Sequence, residues 1–461
     1  VKKFYIISTL CVFVLGFSMC HKADSLPGDQ FDDRLSGGSC TVFDISSQAF
    51  KQSMSDLSAR QQQVHDKGDA IFDQVFVAPP AKLFGGLGPV FNNISCINCH
   101  RGDGQGFPTF GGSNSGMLMR ISIPGEDEHG GPLAAPGFGV QLQDQAVLGA
   151  TPEVRLNIAY SDVPVVYPDG SVTTLRKPAY TLSNAYTTLP GNYLLSPRLA
   201  PKLVGMGLLE NIPEQTILSF VDAGDKNGDG ITGKANYVYD PYTKRKELGR
   251  FGVKANTSTI ALQVASAYQQ DMGVTSYITP VESALGQTQM GAVPGTDVGT
   301  ELVDSILNYV TYYVQTLSVP ARRDVLDADN KRGEVLFTQL NCGACHRATI
   351  QTAANASIGL RSERIHPYTD MLLHDMGDDL ADNRPDYLAT GREWRTSPLW
   401  GLGLLVKTNA NGVAYYLHDG RARTMEEAIL WHGGEAQQSK EGFMQLSKDD
   451  RGRLVKFLQS L

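Results

Sequence analysis

Three features of this sequence point to a mainly α-helical chain of two domains, each built around its own attachment motif. Cys96-Ile97-Asn98-Cys99-His100 recurs with the same spacing as Cys342-Gly343-Ala344-Cys345-His346. Amphipathic helical patterns lie before the second motif at 333–337 and near the ends of both halves, at 301–317 and 448–461. Between the first motif and the 301–317 helix runs a proline- and glycine-broken stretch, about 117–280, that reads as an irregular insertion with short β segments.

Cys-x-x-Cys-His is the attachment pattern of haem c, and it uses four of the seven cysteines here. Both thiols add across porphyrin vinyl groups, and the adjacent histidine, His100 or His346, reaches the iron as its proximal ligand. The spacing matters because one short turn must present two sulfurs to one macrocycle edge while the imidazole points at the metal. Zinc would accept the same thiols and imidazoles, but it does not require a histidine directly after each second cysteine. A thioredoxin-like pair would sit in a βαβ pattern, which neither motif does. A helix, a haem motif and a final helix packed on the first is how a cytochrome c domain encloses its cofactor. The prediction is therefore two cytochrome c-like domains with two covalently bound haems c.

The 461 residues suffice for two or three domains, each with its own core. A hydrophobic content of 41% and a formal net charge of −8 describe a globular chain with none of the clustered basic surface that nucleic-acid binding needs, so no nucleic-acid partner is expected. Residues 1–19 read as a signal peptide: Lys2 and Lys3 form a charged start, and the apolar run at 4–17 is short for a membrane span. Phe17-Ser18-Met19-Cys20 resembles a lipoprotein cleavage site, with Phe17 and Met19 departing from its usual residues. Export to the periplasmic side of a bacterial membrane is expected, because haem is attached to this motif outside the cytoplasm. A lipid anchor at Cys20 goes with it. With Cys11 removed in the leader, Cys40 is left over and reads as a small apolar filler, a free thiol or an intermolecular partner.

In chain order, a polar tether at 20–41 leads into the N-terminal domain, 42–320. Its first helix is expected around 56–76 and is stopped by Pro79-Pro80. Short β-like runs at 155–160 and 163–166 mark the insertion. Within it, Asp225-Lys226-Asn227-Gly228-Asp229-Gly230 resembles the first half of a calcium loop, with Asp225, Asn227 and Asp229 as the ligands. Asn236 stands at the twelfth position where glutamate is usual, and an ordinary Asp/Asn/Gly turn accounts for the same residues. Val319-Pro320 ends the domain, and the compact C-terminal domain occupies 321–461.

Haem function turns on the sixth ligand, since two strong ligands make a carrier and an open position admits peroxide or oxygen. His21 and His65 precede any haem motif and are expected to be exposed; His129, His366, His374, His418 and His432 remain. Tyr416-Leu417-His418-Asp419-Gly420, with Thr424-Met425-Glu426-Glu427-Ala428-Ile429 and Arg395-Thr396-Ser397-Pro398-Leu399-Trp400, resembles the distal segment of bacterial di-haem cytochrome c peroxidases. Leu87-Gly88-Pro89 with Phe91-Asn92, Tyr368-Thr369-Asp370 with Leu373-His374-Asp375-Met376-Gly377, and Trp431-His432-Gly433-Gly434-Glu435-Ala436 are similar to motifs of the di-haem oxidoreductase family once labelled thiol oxidoreductases. In the peroxidases, the place fourteen residues after the histidine of the distal segment holds a methionine that ligates the C-terminal haem; here it is His432. The resemblance thus implies His346/His432 ligation, although a hydrogen-bonded core histidine is the competing reading of His432. His374 and His418 read as core residues or haem-propionate contacts.

The expected function is a peroxidase-like oxidoreductase. An open N-terminal haem would be the reaction site for a small-molecule oxidant or substrate, and the C-terminal haem would relay electrons from a periplasmic or membrane electron-donor protein. His129 with Glu128, in a glycine-flanked acidic loop, is the candidate acid–base or displaceable-ligand group; a solvated loop explains the same residues. Trp394, Trp400 and Trp431 are candidates to bridge the haems or simply to pack. A non-catalytic electron-transfer lipoprotein and a haem oxygenase or oxidase on the same scaffold are the alternatives.

Overall fold

The computed structural model describes residues 32–81, 83–290, 300–356 and 360–461. The expected signal peptide, the lipidation site at Cys20 and most of the tether lie outside these residues.

Seven helices position the sites: α1 (Ala59–Phe72), α2 (Cys96–Cys99), α3 (Ile260–Met272), α4 (Asp304–Gln315), α5 (Ala328–Gln339), α6 (Met425–Trp431) and α7 (Lys448–Ser460). Ser58 and Gln61 close a reciprocal capping box at the start of α1. Asp327 caps α5 by accepting from the amides of Asp329 and Asn330, and Ser447 caps α7 through the amide of Asp450. Helix α1 packs on α4, and α5 packs on α7. Each crossing is set by a glycine in the first helix. A Cβ on Gly68 would lie 2.3 Å from the Tyr309 carbonyl oxygen, and one on Gly333 would lie 2.2 Å from that of Arg453. Larger residues would force both pairs apart.

The expected mainly α fold with two cytochrome c-like domains is not what the chain adopts. It is 28% helical and 19% strand, with the strands spread over many small sheets. The reason is compositional. The chain's 48 glycines and 23 prolines, most of them beyond the two helix pairs, interrupt helical propensity there, and β-branched and aromatic alternation takes over.

The strands that matter here are β1 (Met117–Ser122), β2 (Gln141–Leu142), β3 (Arg155–Val166), β4 (Val172–Ser183), β5 (Leu194–Leu199), β6 (Leu373–Asp375) and β7 (Glu393–Arg395). The short runs read at 155–160 and 163–166 are one continuous strand, β3, paired antiparallel with β4 over its whole length. Pro164 and Pro178 are tolerated because a two-stranded ribbon leaves each strand an open edge. The ribbon clasps the C-terminal part of the chain: Arg176 donates to the carbonyls of Arg421 and Gly420 at 2.8 Å, and the Tyr180 hydroxyl donates to Asp419 at 3.1 Å. Strand β1 is the middle of a three-stranded sheet, in the order β2-β1-β5. Its Met119 and Ile121, with Leu142, enter one apolar cluster, so Arg120 and Ser122 turn to the other face.

The largest apolar cluster runs from Cys40 to Ala414 and includes Tyr313 and Trp400, while a second joins Tyr167 and Leu175 of the ribbon to α5, α6 and α7. Cys40 is fully buried as a core filler. His65, expected at the surface, is 3% exposed, its Nδ1 2.7 Å from the Thr316 hydroxyl and its ring beside Tyr313. Among the described residues no helix is long and apolar enough to cross a membrane.

Candidate functional site

Both Cys-x-x-Cys-His segments form a single tight turn. The His100 amide donates to the Cys96 carbonyl at 2.9 Å, and the His346 amide to the Cys342 carbonyl at 3.0 Å. Residues three apart on such a turn share a face, so each pair of sulfurs points the same way. All four thiols are free and partly exposed.

The surroundings of the two motifs repeat as well. The ring of Phe72, last residue of α1, lies 6.2 Å from His100 and 5.4 Å from Tyr313 on α4. Phe337 on α5 lies 6.3 Å from His346 and 5.3 Å from Phe457 on α7. In each case an aromatic residue from the first helix of a pair wedges between its partner helix and the motif histidine.

Main-chain carbonyls orient both imidazoles. Nδ1 of His100 is 2.7 Å from the Pro201 oxygen, and Nδ1 of His346 is 2.9 Å from the Tyr368 oxygen. A carbonyl only accepts, so Nδ1 carries the proton and Nε2 keeps its lone pair. His432, at the C-terminus of α6, is held identically, with Nδ1 2.7 Å from the Ala428 oxygen. Burial lowers the pKa of all three rings, His346 to about 4, which keeps them neutral. His432 lies close enough to His346 to oppose its protonation, whereas His100 is shifted by burial against its bonds to main-chain groups. Free thiols on one face of a turn, with a neutral imidazole presenting Nε2, are the donors an iron porphyrin requires.

His374 ties the second site together. Its Nε2 donates to Asp370 at 2.8 Å and its Nδ1 to Glu435 at 2.6 Å, with the Cys345 sulfur 3.4 Å from Nδ1. Burial opposes charge on this ring, but the bonds to Asp370, Cys345 and Glu435 outweigh it and push its pKa up to about 12. Glu435 is held at about 2: burial works against its charge, and His374 and Thr232 override it. Glu435 stands three residues after His432 and also accepts from the amides of Thr232 and Asp375. One carboxylate thus joins the His432 segment to the strand beside Cys345. With both nitrogens committed, His374 has no donor left for a haem propionate.

His418 is a core residue. It lies flat on Trp394, 3.6 Å between centroids, and burial pushes its pKa down to about 4. Its carbonyl accepts from the Leu199 amide at 2.7 Å, two residues before the Pro201 that orients His100. The stretch 199–201 therefore links the surroundings of the two motifs. Trp400 and Trp431 are also buried, the latter under the Arg421 guanidinium at 4.8 Å.

The remaining expected residues lie elsewhere. His129 is 37% exposed, stacked on Tyr239 at 3.5 Å, with Nε2 3.4 Å from Glu128. Among the described residues no hydrogen bond or ring contact joins it to Cys96 or His100. In the Asp225 loop the side chains turn onto their own backbone: Asp225 accepts from the Gly230 amide, Asn227 from that of Asp229, and Asp229 from that of Ile231. Among the described residues no group of three or more His, Cys, Asp or Glu is placed to hold a metal ion.

Two acids, one acting on the first motif and one buried elsewhere, carry no pattern by which the sequence would reveal them. Asp144 acts electrostatically on Cys99, has Oδ2 buried without a partner, and is pushed up to about 6 by burial. Glu153 is fully buried, accepts from the Gln143 amide at 2.7 Å, and is pushed up to about 8 by burial.

No curated protein matches this sequence. Among solved structures, a xenon-pressurised hydrazine synthase from Kuenenia stuttgartiensis is similar over 37% of this chain, at 18% identity and a TM-score of 0.23. That match spans 58% of the length of the hydrazine synthase chain. The family described as "Di-haem oxidoreductase, putative peroxidase" matches residues 31–461, both Cys-x-x-Cys-His motifs included, and this chain belongs to that di-haem oxidoreductase family.

Proposed function

We propose that the protein carries two covalently attached haems c and reduces peroxide at the first, drawing electrons through the second. Cys96 and Cys99 would attach the first haem, with His100 as its iron ligand. Cys342 and Cys345 would attach the second, which His346 and His432 would hold. What supports this reading is that His432, its Nδ1 held by the Ala428 carbonyl, lies close enough to His346 to oppose its protonation, while His100 is oriented by the Pro201 carbonyl and packed by the Phe72 ring. A two-ligand iron is a carrier and a one-ligand iron has a position for oxidant.

Bound haem iron would supply peroxide binding and electron transfer, one peroxide taking two electrons and two protons to give two waters. The protein's part is to orient and to handle protons. Pro201 and Tyr368 fix the ring planes of the proximal histidines. Asp144, which acts on Cys99 and is pushed up to about 6 by burial, would give up and regain a proton at this motif. The electron donor is an exported electron-transfer protein, and the enzyme itself is exported and anchored through Cys20. Electron paramagnetic resonance of the oxidised, haem-loaded protein tests the reading. One high-spin and one low-spin ferric signal, with peroxide turnover, are expected. Two low-spin signals, of which the one left after half-reduction stays low-spin, with no turnover, would make it an electron carrier instead.

A further inference from the structure

The face of the β2-β1-β5 sheet opposite its apolar side carries a surplus of positive charge. Arg120 of β1 pairs in register with Gln141 on one side and Ser196 on the other, and Arg198 follows two residues along β5. Three guanidinium groups, those of Arg120, Arg198 and Arg384, act on one another here. One carboxylate oxygen, Oδ2 of Asp386, serves two of them: Arg198 at 2.7 Å and Arg384 at 3.2 Å. Arg198 completes its bonds on Ser196 at 3.2 Å and Asn256 at 3.4 Å. Among the described residues Arg120 has no such partner, and its Nε is buried without a hydrogen bond. The other carboxylate that reaches it, Asp271, is already bonded to Gln141 at 2.6 Å. Arg120 is half-buried, and a buried guanidinium nitrogen left like this favours an anion that would complete the group.

The sheet is fastened to the first motif at two places. The Cys99 sulfur is 3.4 Å from the Ser115 carbonyl, just before β1, and His100 bonds the Pro201 carbonyl, just after β5. Asp271, which acts on Arg120, also acts on Cys96 and Cys99. The missing anion therefore belongs beside this motif. A planar fork with free donors favours a carboxylate.

We propose that Arg120, flanked by Ser196 and Arg198, is a carboxylate-binding site next to Cys96–His100, filled by a propionate of the attached haem or by the carboxylate of a small-molecule substrate. This rests on haem attachment at Cys96 and Cys99 as proposed above.

The test uses the full-length, haem-loaded protein, its Arg120→Gln variant and its Arg120→Lys variant. Two readouts are taken: the haem-propionate bending bands in resonance Raman, and a formate titration of the ferric absorption spectrum. A propionate in the site predicts bands that move in Arg120→Gln and move less in Arg120→Lys, with no saturable formate effect. A substrate carboxylate predicts saturable formate binding to wild type, weakened at least tenfold in Arg120→Gln, with unmoved bands. Where Arg120→Gln fails to take up haem, Arg120→Lys decides, because losing the bidentate fork moves the same readouts in the same direction. Unmoved bands in the variants with no saturable formate binding to wild type overturn the site. Wild type lacking covalent haem would instead sink the proposed function, so the two failures are distinguishable.

Discussion

His418 and Trp394 stack face to face, 3.6 Å between ring centroids and 9° from parallel, and the opposite face of Trp394 carries the Lys254 ammonium at 4.3 Å. A cation on an indole face is attracted by the neutral ring and opposes removal of an electron from it. Trp394 is therefore built as packing rather than as a redox relay, although it sits in β7 directly opposite His374 of β6.

Lys254 is fully buried and bonds Asp382, 1% exposed at its side chain, at 2.9 Å. Replacing Lys254 by Met strips that carboxylate of its counter-charge in a dry setting. The expected loss is about 3–5 kcal/mol in denaturant unfolding of the haem-loaded protein. Adding Asp382→Asn should recover most of it, since the amide carries no charge to strand. A single variant within about 1 kcal/mol of wild type would contradict this account.

His374 makes a second prediction of the same kind with a functional readout. His374→Gln supplies one amide donor group where Asp370 and Glu435 each receive a charged N–H. Two buried carboxylates then face each other with little to separate them, and unfolding stability should fall by about 3–5 kcal/mol. Because Glu435 also anchors the His432 segment, the low-spin signal of the second haem should broaden or lose intensity while the first haem's signal is unchanged. An unaltered low-spin signal would mean that Glu435 does not position His432.

What the sequence revealed was local. Cys-x-x-Cys-His fixes a single turn, and the apolar periods at 301–317 and 448–461 mark α4 and α7, because i, i+3, i+4 contacts lie within a few residues of each other. The glycine at each helix crossing was invisible, since its role depends on a carbonyl 241 residues away for Gly68 and 120 for Gly333. Strand β3 reads from the sequence as two short runs in a proline- and glycine-broken stretch, and Pro164 within it is tolerated because the strand has a free edge. His65 was misread because its burial is decided by Thr316 and Tyr313, on and just beyond a helix far along the chain. The carbonyls of Pro201 and Tyr368 leave no side-chain signature, and the unpartnered guanidinium of Arg120 is defined by a three-dimensional charge count.

Glu153 gives a pH dependence. Its carboxyl titrates at about 8 in the folded chain against an unfolded value of 4.5, so between these pH values the native state keeps a proton that the unfolded state has lost. Stability must therefore fall as pH rises through that window and level off above it, by up to about 1.4 kcal/mol per pH unit from this group. Glu153→Gln removes the titration. The variant should match wild type near the acid end and exceed it progressively towards the alkaline end, in unfolding midpoints measured across the window. A constant offset between the two would assign the ionised form to the native state instead.

The last prediction concerns His432. A thioether favours ferrous iron more than an imidazole does, so His432→Met should raise the potential of the second haem. The rise should be on the order of a tenth or more of the roughly 0.8 V that axial ligation spans. His432→Ala removes the sixth ligand and should convert the low-spin ferric signal of that haem to high-spin, leaving the protein with two high-spin irons. The first haem provides the internal control, because its histidine, His100, is held separately by the Pro201 carbonyl. If both variants leave the second haem low-spin at an unchanged potential, another residue holds its iron. His432 would then be a core histidine whose bond to the Ala428 carbonyl serves only to terminate α6.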